Sequence, residues 1–526
     1  MIERNEALAY FYLGPQREQL FLMPVSMRDW LEEGHLAWFV IDVVGELDTA
    51  ALHARHPNDG VGRPAYDPEM MCALLLYAYS NGLRSCRRIE ASCRTDAAYR
   101  LICGGLTPDH ATIARFVVDQ EQALASLFVS GLRLCAAAGL VDLSVLALDG
   151  TKIAADAALD QNRSAAWVRE QVKALLAATA ASEQTETSPA PEIGLLDVDA
   201  TAQLASRSGR LARLQAALAV IEAEEAAAAA ETEKKTEAAV TEATAGRKLR
   251  GRKPKDPAAA LARAQADHAA AQVKAHGKQA KRAAKQAAAH AAGRRLGGFA
   301  PGPDRGLQQA EQALAAAHAA ADGATPPVLR ANVTDPDSRI MSTQKGWMQG
   351  YNCQAVVTKN QIVVAHAVSQ NTNDVELYKP MIATLADTLT AAQITDPVKL
   401  MLADAGYCSE ENLTAPGPDR LIATQKDHKQ RRAARELGTT TGPPPEHAST
   451  LDAMEHRLRT PEGTAAYTLR SHTIEPVFGD RKTNRGWQAF HRRGIDAAAS
   501  EWAFMHLTGN LAKLYKHLQT QATTTT

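Results

Sequence analysis

The chain has 526 residues, 45% of them hydrophobic, and a formal net charge of -1, enough apolar material for a sizeable core spread over about two to four folding units. No apolar run reaches the roughly 20 residues that span a bilayer; the longest candidate, residues 127–148, is interrupted by Arg133 and Asp142, and the opening MIERNEALAY carries acids and no apolar signal core, so no membrane partner and a cytoplasmic location are expected. Seven cysteines (Cys72, Cys86, Cys93, Cys103, Cys135, Cys353 and Cys408) without a CxxC pair exclude a disulfide framework and a zinc ribbon, and are read as reduced, packed thiols.

A net charge near zero speaks against a nucleic-acid partner only if charge is spread evenly, and here it is segregated. Residues 1–142 read as a helical domain, with periodic apolar runs at 30–44, 70–79 and 114–134 separated by Gly- and Pro-containing turns. The segment SNGLRSCRRIEASCRTDAAYRLICGG (80–105) sets small and apolar residues against arginines, among them Arg87 and Arg88. Short basic helices joined by such turns can serve DNA; a solvated basic face is the alternative.

From residue 143 the pattern becomes LSVLALDGTKIAADAA, a Val- and Leu-rich run read as a buried strand ending in Asp149-Gly150. A carboxylate at the end of a buried strand is costly unless it is paired or holds a metal, although an aspartate before glycine is also ordinary turn chemistry. KLMLADAG (399–406) repeats the arrangement with Asp404. Two strands thus deliver an acid at the same place relative to their ends.

Between them, residues 163–328 are alanine-dominated and read as helix. Leu204, Leu211, Leu214, Leu218 and Ile221 step as a short heptad seam. An acidic arm (Glu222, Glu224, Glu225, Glu231, Glu233) followed by a basic one (Lys274, Lys278, Lys281, Arg282, Lys285) favours an antiparallel hairpin whose cationic tip, 246–255, would either grip DNA phosphates or be a merely soluble loop.

Strand patterning returns at 350–370, a hairpin about residues 358–361. Asn373-Asp374 reads as the cap of the helix that follows, residues 420–424 as a last short strand, and 442–445 as a Pro-rich connection. The stretch TAAYTLRSHTIEPVFGDRKTNRGWQAFHRRG (464–494) places Glu475 on a helix-like pattern among Tyr467, Arg470, Arg481 and Lys482; an amphipathic helix with ordinary surface charges is the alternative. Residues 502–517 read as an amphipathic helix with Leu507, Leu511 and Leu514 inward, and 519–526 as a disordered tail. The other acids have local explanations: Asp156 and Asp160 lie beyond the first strand, Asp335 and Asp337 flank Pro336 in a turn, and Glu410 and Glu411 suit a helix N-terminus.

Three carboxylates, Asp149, Asp404 and Glu475, suit two magnesium ions about 3.5–4 Å apart, with Asp149 as the bridge and the other two each completing one metal's shell. The blocks that carry them are similar to a known family. GRPAYDPEMMCALLLYAYSNGLRSCRRIE, TPDHATIARF, LALDGTKIAA, TDPDSRIM, GYNCQAVV, LADAGYCSEENL, HTIEPVFGDRK and FHRRG together resemble the bacterial insertion-sequence DDE transposases of the IS-eleven-eighty-two-like group. The resemblance implies an α/β fold: an RNase H-like mixed sheet core, divided between 143–162 and 329–518, with an N-terminal helical DNA-binding domain at 1–142 and a long alanine-rich helical insertion at 163–328. It implies cutting and joining of DNA at an element's terminal repeats by Asp149, Asp404 and Glu475, with two Mg2+ ions per site (Mn2+ as substitute), element ends and target DNA as partners, and a homodimer to hold two ends. Tyr467, Arg470, Glu475 and Lys482 follow the order of the family's Tyr-Arg-Glu-Lys signature, whose cations hold phosphate near the cut, but four residues separate Arg470 from Glu475 where three are usual. His491, Arg492 and Arg493 are further candidates for phosphate. A catalytically silent DNA-binding relative and an RNase H-like nuclease without strand transfer are the alternatives.

Overall fold

The computed structural model describes residues 26–54, 65–183, 207–245, 257–293, 304–322, 329–426, 432, 436 and 438–525. Its contacts divide the chain into two compact units, Met1–Asp156 with Met341–Thr526, and Ala157–Ile340. The expected divisions at 142, 162 and 328 are therefore displaced: the N-terminal helices belong to the same unit as the sheet, and the inserted unit takes in the short strands that flank its helices.

The first unit opens with a 3-10 turn, Met27–Trp30, and helices α1 (Leu36–Glu46), α2 (Ala50–His53), α3 (Pro68–Ser80), α4 (Cys86–Thr95), α5 (Ala97–Ile102), α6 (His110–Asp119) and α7 (Glu121–Ala137). Aspartates start three of them. Asp67 accepts from the Glu69 and Met70 amides, Asp96 from Ala98 and Tyr99, and Asp109 from Thr112, satisfying donors that a first turn leaves open. Helix α3, apolar on all sides, is buried from Met71 through Tyr79 and forms the centre of this part of the core. The run 114–134 is two helices, not one, because Gln120 leaves helical geometry and its side-chain amide donates to the Leu52 carbonyl at 3.1 Å. Strand β1 (Leu146–Ala154) follows.

The second unit contains β2 (Asn162–Ser164), helices α8 (Ala165–Glu183), α9 (Arg207–Thr244), α10 (Pro257–Ala291) and α11 (Arg305–Asp322), and β3 (Arg330–Asn332), which pairs antiparallel with β2. Leu214 and Ile221 of the expected seam are buried, and Ala217 and Ile221 pack with Ala165 and Ala331. The two long arms pack on each other as expected, but they are part of an insertion with four helices among its described residues, in which Glu222 pairs with Arg169 of α8 and Glu224 with Arg339. The basic tip at 246–255 and Leu204 lie outside the described residues.

The chain returns through β4 (Arg339–Thr343), β5 (Gly346–Thr358), β6 (Val363–Ser369), α12 (Tyr378–Ala391), β7 (Leu400–Ala403), α13 (Glu410–Leu413), β8 (Asp419–Ile422), α14 (Thr450–Leu458), α15 (Pro461–Thr473), α16 (Glu475–Gly479) and α17 (Ile495–Thr525). The sheet runs β4-β5-β1-β7-β8, with β6 also paired to β5. Strand β5 is antiparallel to β1 and β6 to β5, whereas β7 is parallel to β1 and β8 to β7. A three-strand meander followed by two parallel strands is the mixed sheet of an RNase H-like core. Its central strand begins Leu146-Ala147-Leu148, fully buried, as a strand covered on both faces requires.

Helix α17 corrects the disordered tail expected at 519–526. It starts at Ile495 and continues to Thr525 because the terminal threonines bond back into the helix: Thr520 Oγ1 donates to the Lys516 carbonyl at 2.9 Å and Thr523 Oγ1 to that of Gln519 at 3.1 Å.

Candidate active site

The register of the central strands brings the two aspartates together. Leu148 of β1 is the partner of Ala403 of parallel β7, so the next residue on each strand is an acid. The strands then diverge in fate. Strand β7 ends, and Asp404 caps a 3-10 turn (Ala405–Tyr407) by accepting from the Gly406 amide at 2.9 Å. Strand β1 runs on to Ala154, held by antiparallel β5 with Asp149 opposite Ala355. Asp149 is therefore not a strand-end residue as expected; it sits mid-strand, level with the point where its neighbour stops.

Glu475 reaches the same place from the helical side. Thr460 accepts from the Gly463 amide and Pro461 occupies the first turn of α15, a well-capped start. The helix is broken after Thr473, because Pro476 has no N–H to offer the His472 carbonyl; the Gln361 side chain donates to that oxygen instead, at 3.0 Å. The expected single helix is thus two, α15 carrying Arg470 and α16 beginning with Glu475. Arg470 is buried, and its Nη1 donates to Asp149 Oδ2 at 2.9 Å while Nη2 lies 4.0 Å from Glu475 Oε1. Burial pushes the Asp149 carboxyl up to about 7, Arg470 opposes that rise, and the neighbouring Asp404 charge adds to it. Glu475 is 58% exposed and faces solvent.

The other expected site residues are distributed more widely. The Arg470 guanidinium lies 5.9 Å from the Tyr467 ring centroid. Lys482 Nζ donates to the Lys152 carbonyl of β1 at 2.9 Å, and burial holds its pKa below the usual lysine range. Arg87 and Arg88 are exposed on α4. Arg492 pairs with Glu121, and Arg493 Nε with Asp156 at 2.9 Å. The His491 backbone N–H donates to Glu501 at 3.1 Å, and desolvation, with the Arg84 charge, lowers the pKa of its ring below the ordinary histidine value. The basic residues from 481 to 493 do not continue the Glu475 helix. Arg481 is a core residue, bonded to Asp480 and stacked by Trp487, in a space open only because residue 509 is glycine: a Cβ there would lie 1.4 Å from Arg481 Nη2. After the π-turn Asp480–Asn484 the flank leaves the helix, and Gln488 and Phe490 bond the two sides of Ala154 at the far end of β1.

Four residues near the acids, Asp374, Asn352, Gln354 and Lys152, were not read as site residues from sequence. Asp374, expected as a helix cap, makes no capping bond. Its Oδ1 accepts from Asn352 Nδ2 at 2.7 Å and Gln354 Nε2 at 3.0 Å, and Lys152 Nζ lies 3.7 Å away. The signal available was period-two placement: Asn352 and Gln354 are polar residues on one face of an otherwise apolar strand, both with 0% exposure.

Adjacent hard carboxylate oxygens, one of them desolvated, suit a divalent cation better than a soft metal. Among the described residues, however, no group of three or more His, Cys, Asp or Glu stands close enough to hold an ion; the Arg470 guanidinium lies between Asp149 and Glu475. Nor is any helix, among those residues, long and apolar enough to cross a membrane.

Residues 25–119, which include α1 to α6, match the family model described as "Transposase domain (DUF772)", and residues 421–515, which include Tyr467, Arg470, Glu475, Lys482 and the 481–493 flank, match "Transposase DDE domain". No curated protein and no solved structure matches the chain.

Proposed function

Because residues 25–119 and 421–515 match transposase family models, we propose that the chain is an insertion-sequence DDE transposase that cuts DNA at the terminal repeats of its element and joins the freed ends to a target, with Asp149, Asp404 and Glu475 as the catalytic carboxylates. One observation supports this above others: the β1–β7 register sets Asp149 beside Asp404, and Arg470 links Asp149 to Glu475.

The three acids would hold Mg2+ or Mn2+, two ions, which when bound activate the attacking oxygen and stabilise the leaving oxygen at phosphorus. The chain's own residues supply position and charge. The mid-strand placement of Asp149 makes it the most rigid of the three, while Asp404 sits on a turn and Glu475 on the first residue of a short helix. Arg470, inside the cluster, keeps an otherwise costly pair of neighbouring carboxylates compatible with folding. Lys482 and Tyr467 stand at the edge of the cluster, where phosphate of the cut strand would lie, and Arg87 and Arg88 offer a solvent-facing basic surface for duplex. Holding two ends at once calls for a homodimer.

The test uses purified full-length chain and duplexes of the sequence flanking the reading frame, with Mg2+ or Mn2+. Cutting near the frame and joining to a second duplex are expected, and Asp404→Ala should abolish both while leaving DNA binding intact. Undiminished cutting by Asp404→Ala sinks the assignment of that acid. Cutting without joining reduces the activity to that of a nuclease.

A further inference from the structure

Asp374 is an acid that none of its local roles explains. It caps no helix, and its partner Lys152 stands at 3.7 Å, too far for a close ion pair. Its fixed contacts point inward instead. The Oδ1 atom receives the amides of Asn352 and Gln354, and Gln354 Nε2 also donates to Asn352 Oδ1 at 3.0 Å. With its nitrogen so engaged, Gln354 turns its Oε1 toward the Tyr407 hydroxyl, which donates to it. Tyr407 is fully buried and closes the turn that Asp404 caps, its amide donating to the Asp404 carbonyl at 3.2 Å. Asn412 ties the two loops a second time: its Nδ2 donates to the carbonyls of Val375 at 2.6 Å and Tyr407 at 2.8 Å.

The backbone leaves space for this chain of contacts at two glycines. A Cβ on Gly150 would lie 2.3 Å from Gln354 Nε2 and 2.8 Å from Asp374 Oδ1, and one on Gly406 3.0 Å from Asp404 Oδ1 and 3.4 Å from Asp374 Oδ2. Asp374 therefore lies against the residue after the first acid and against the turn of the second. A buried amide has one way to satisfy both of its ends, so the acceptor at Asp374 decides which way Gln354 faces, and through it where Tyr407 holds the turn.

We infer that Asp374 is a positioning residue of the cutting centre, orienting Asp404 through Gln354 and Tyr407. The inference rests on Asp404 being one of the catalytic carboxylates. Asparagine at 374 keeps an oxygen for both amides, whereas alanine leaves them without it.

The experiment compares wild-type chain with Asp374→Asn, Asp374→Ala, Tyr407→Phe and the Asp374→Ala/Tyr407→Phe double variant, in metal-dependent cutting of the flanking-sequence duplex and in amide hydrogen exchange. Asp374→Ala is expected to slow cutting about 30-fold at saturating DNA, with the KM for DNA unchanged. Asp374→Asn should recover most of the rate, and the double variant should be no slower than the slower single one, because both act along one path. Exchange at Gly406 and Tyr407 should rise about tenfold in Asp374→Ala. Asparagine as slow as alanine, multiplicative losses in the double variant, or unchanged exchange at Gly406 and Tyr407 each overturn the inference. The exchange measurement needs no activity: a wild-type chain that does not cut overturns the cutting-centre proposal and still reports whether Asp374 holds the Asp404 turn.

Discussion

Arg470 and Asp149, 321 positions apart in sequence, are joined by a 2.9 Å hydrogen bond in which a buried guanidinium faces a largely buried carboxylate. A cation so placed can tune and orient the acid, and its burial leaves little of it exposed to a ligand. The two roles differ in a measurable way. A phosphate contact contributes about one unit to the slope of log affinity against log salt, so Arg470→Met is expected to leave the salt dependence of DNA binding unchanged while slowing cutting about 100-fold. A slope that falls by about one would return Arg470 to the phosphate-contacting role implied by the family signature.

The two aspartates were legible in sequence because each ends a run of apolar residues, where an uncompensated charge is conspicuous. Their adjacency was not, since it depends on which strands neighbour each other and in what register, and the helical insertion separates them along the chain. The pairing of Arg470 with Asp149 was not legible for a related reason: spacing along one continuous helix relates it to Glu475 alone, whereas Pro476 breaks that helix between them. That proline was visible, but its consequence needs Gln361, which takes up the released carbonyl from a distant turn. Arg481 was counted with the surface cations although Gly509, 28 positions on, supplies the space that buries it. Charge runs report composition, and only packing reports which charges face water.

The raised pKa of Asp149 has a consequence for stability. Its folded-state value, about 7, lies above the ordinary aspartate value of 3.8, so between these limits the folded chain holds a proton that the unfolded chain releases. Stability is then greatest below about pH 4, falls as pH rises, and levels off above 7, a loss on the order of 4 kcal/mol from this group alone. Unfolding by urea in EDTA across pH 5 to 8 should show this limb, and Asp149→Asn should flatten it. An identical limb in the variant would place the titration elsewhere.

Gly150 has little room for a side chain. Alanine there would place its Cβ 2.3 Å from Gln354 Nε2 and 2.8 Å from Asp374 Oδ1, groups fixed by hydrogen bonds and unable to retreat cheaply. Gly150→Ala is expected to cost about 2–3 kcal/mol and to reduce cutting. Gly479→Ala is the control: nothing lies within 4 Å of a Cβ there, and in a helix the exchange stabilises by about 0.5–1 kcal/mol. Equal midpoints for the two variants in thermal unfolding would count against the packing argument.

Arg84 sets the N-terminal helices against the last helix of the chain. Its Nη1 donates to Glu501 Oε1 at 2.6 Å and to the Ala489 carbonyl at 2.9 Å, and both charged side chains are buried. Glu501 Oε2 in turn accepts the His491 amide at 3.1 Å, so the pair also fixes the path of the flank that leaves the Glu475 helix. Removing one partner strands the other charge in the core, and Arg84→Ala is expected to cost about 3–5 kcal/mol. Exchanging both for apolar residues of similar size, Arg84→Met with Glu501→Leu, removes the stranded charge but leaves the Ala489 carbonyl and His491 amide without partners. The double variant should therefore lie between wild type and Arg84→Ala in urea unfolding. If it is as unstable as Arg84→Ala, the cost belongs to the backbone bonds and not to the unpaired charge.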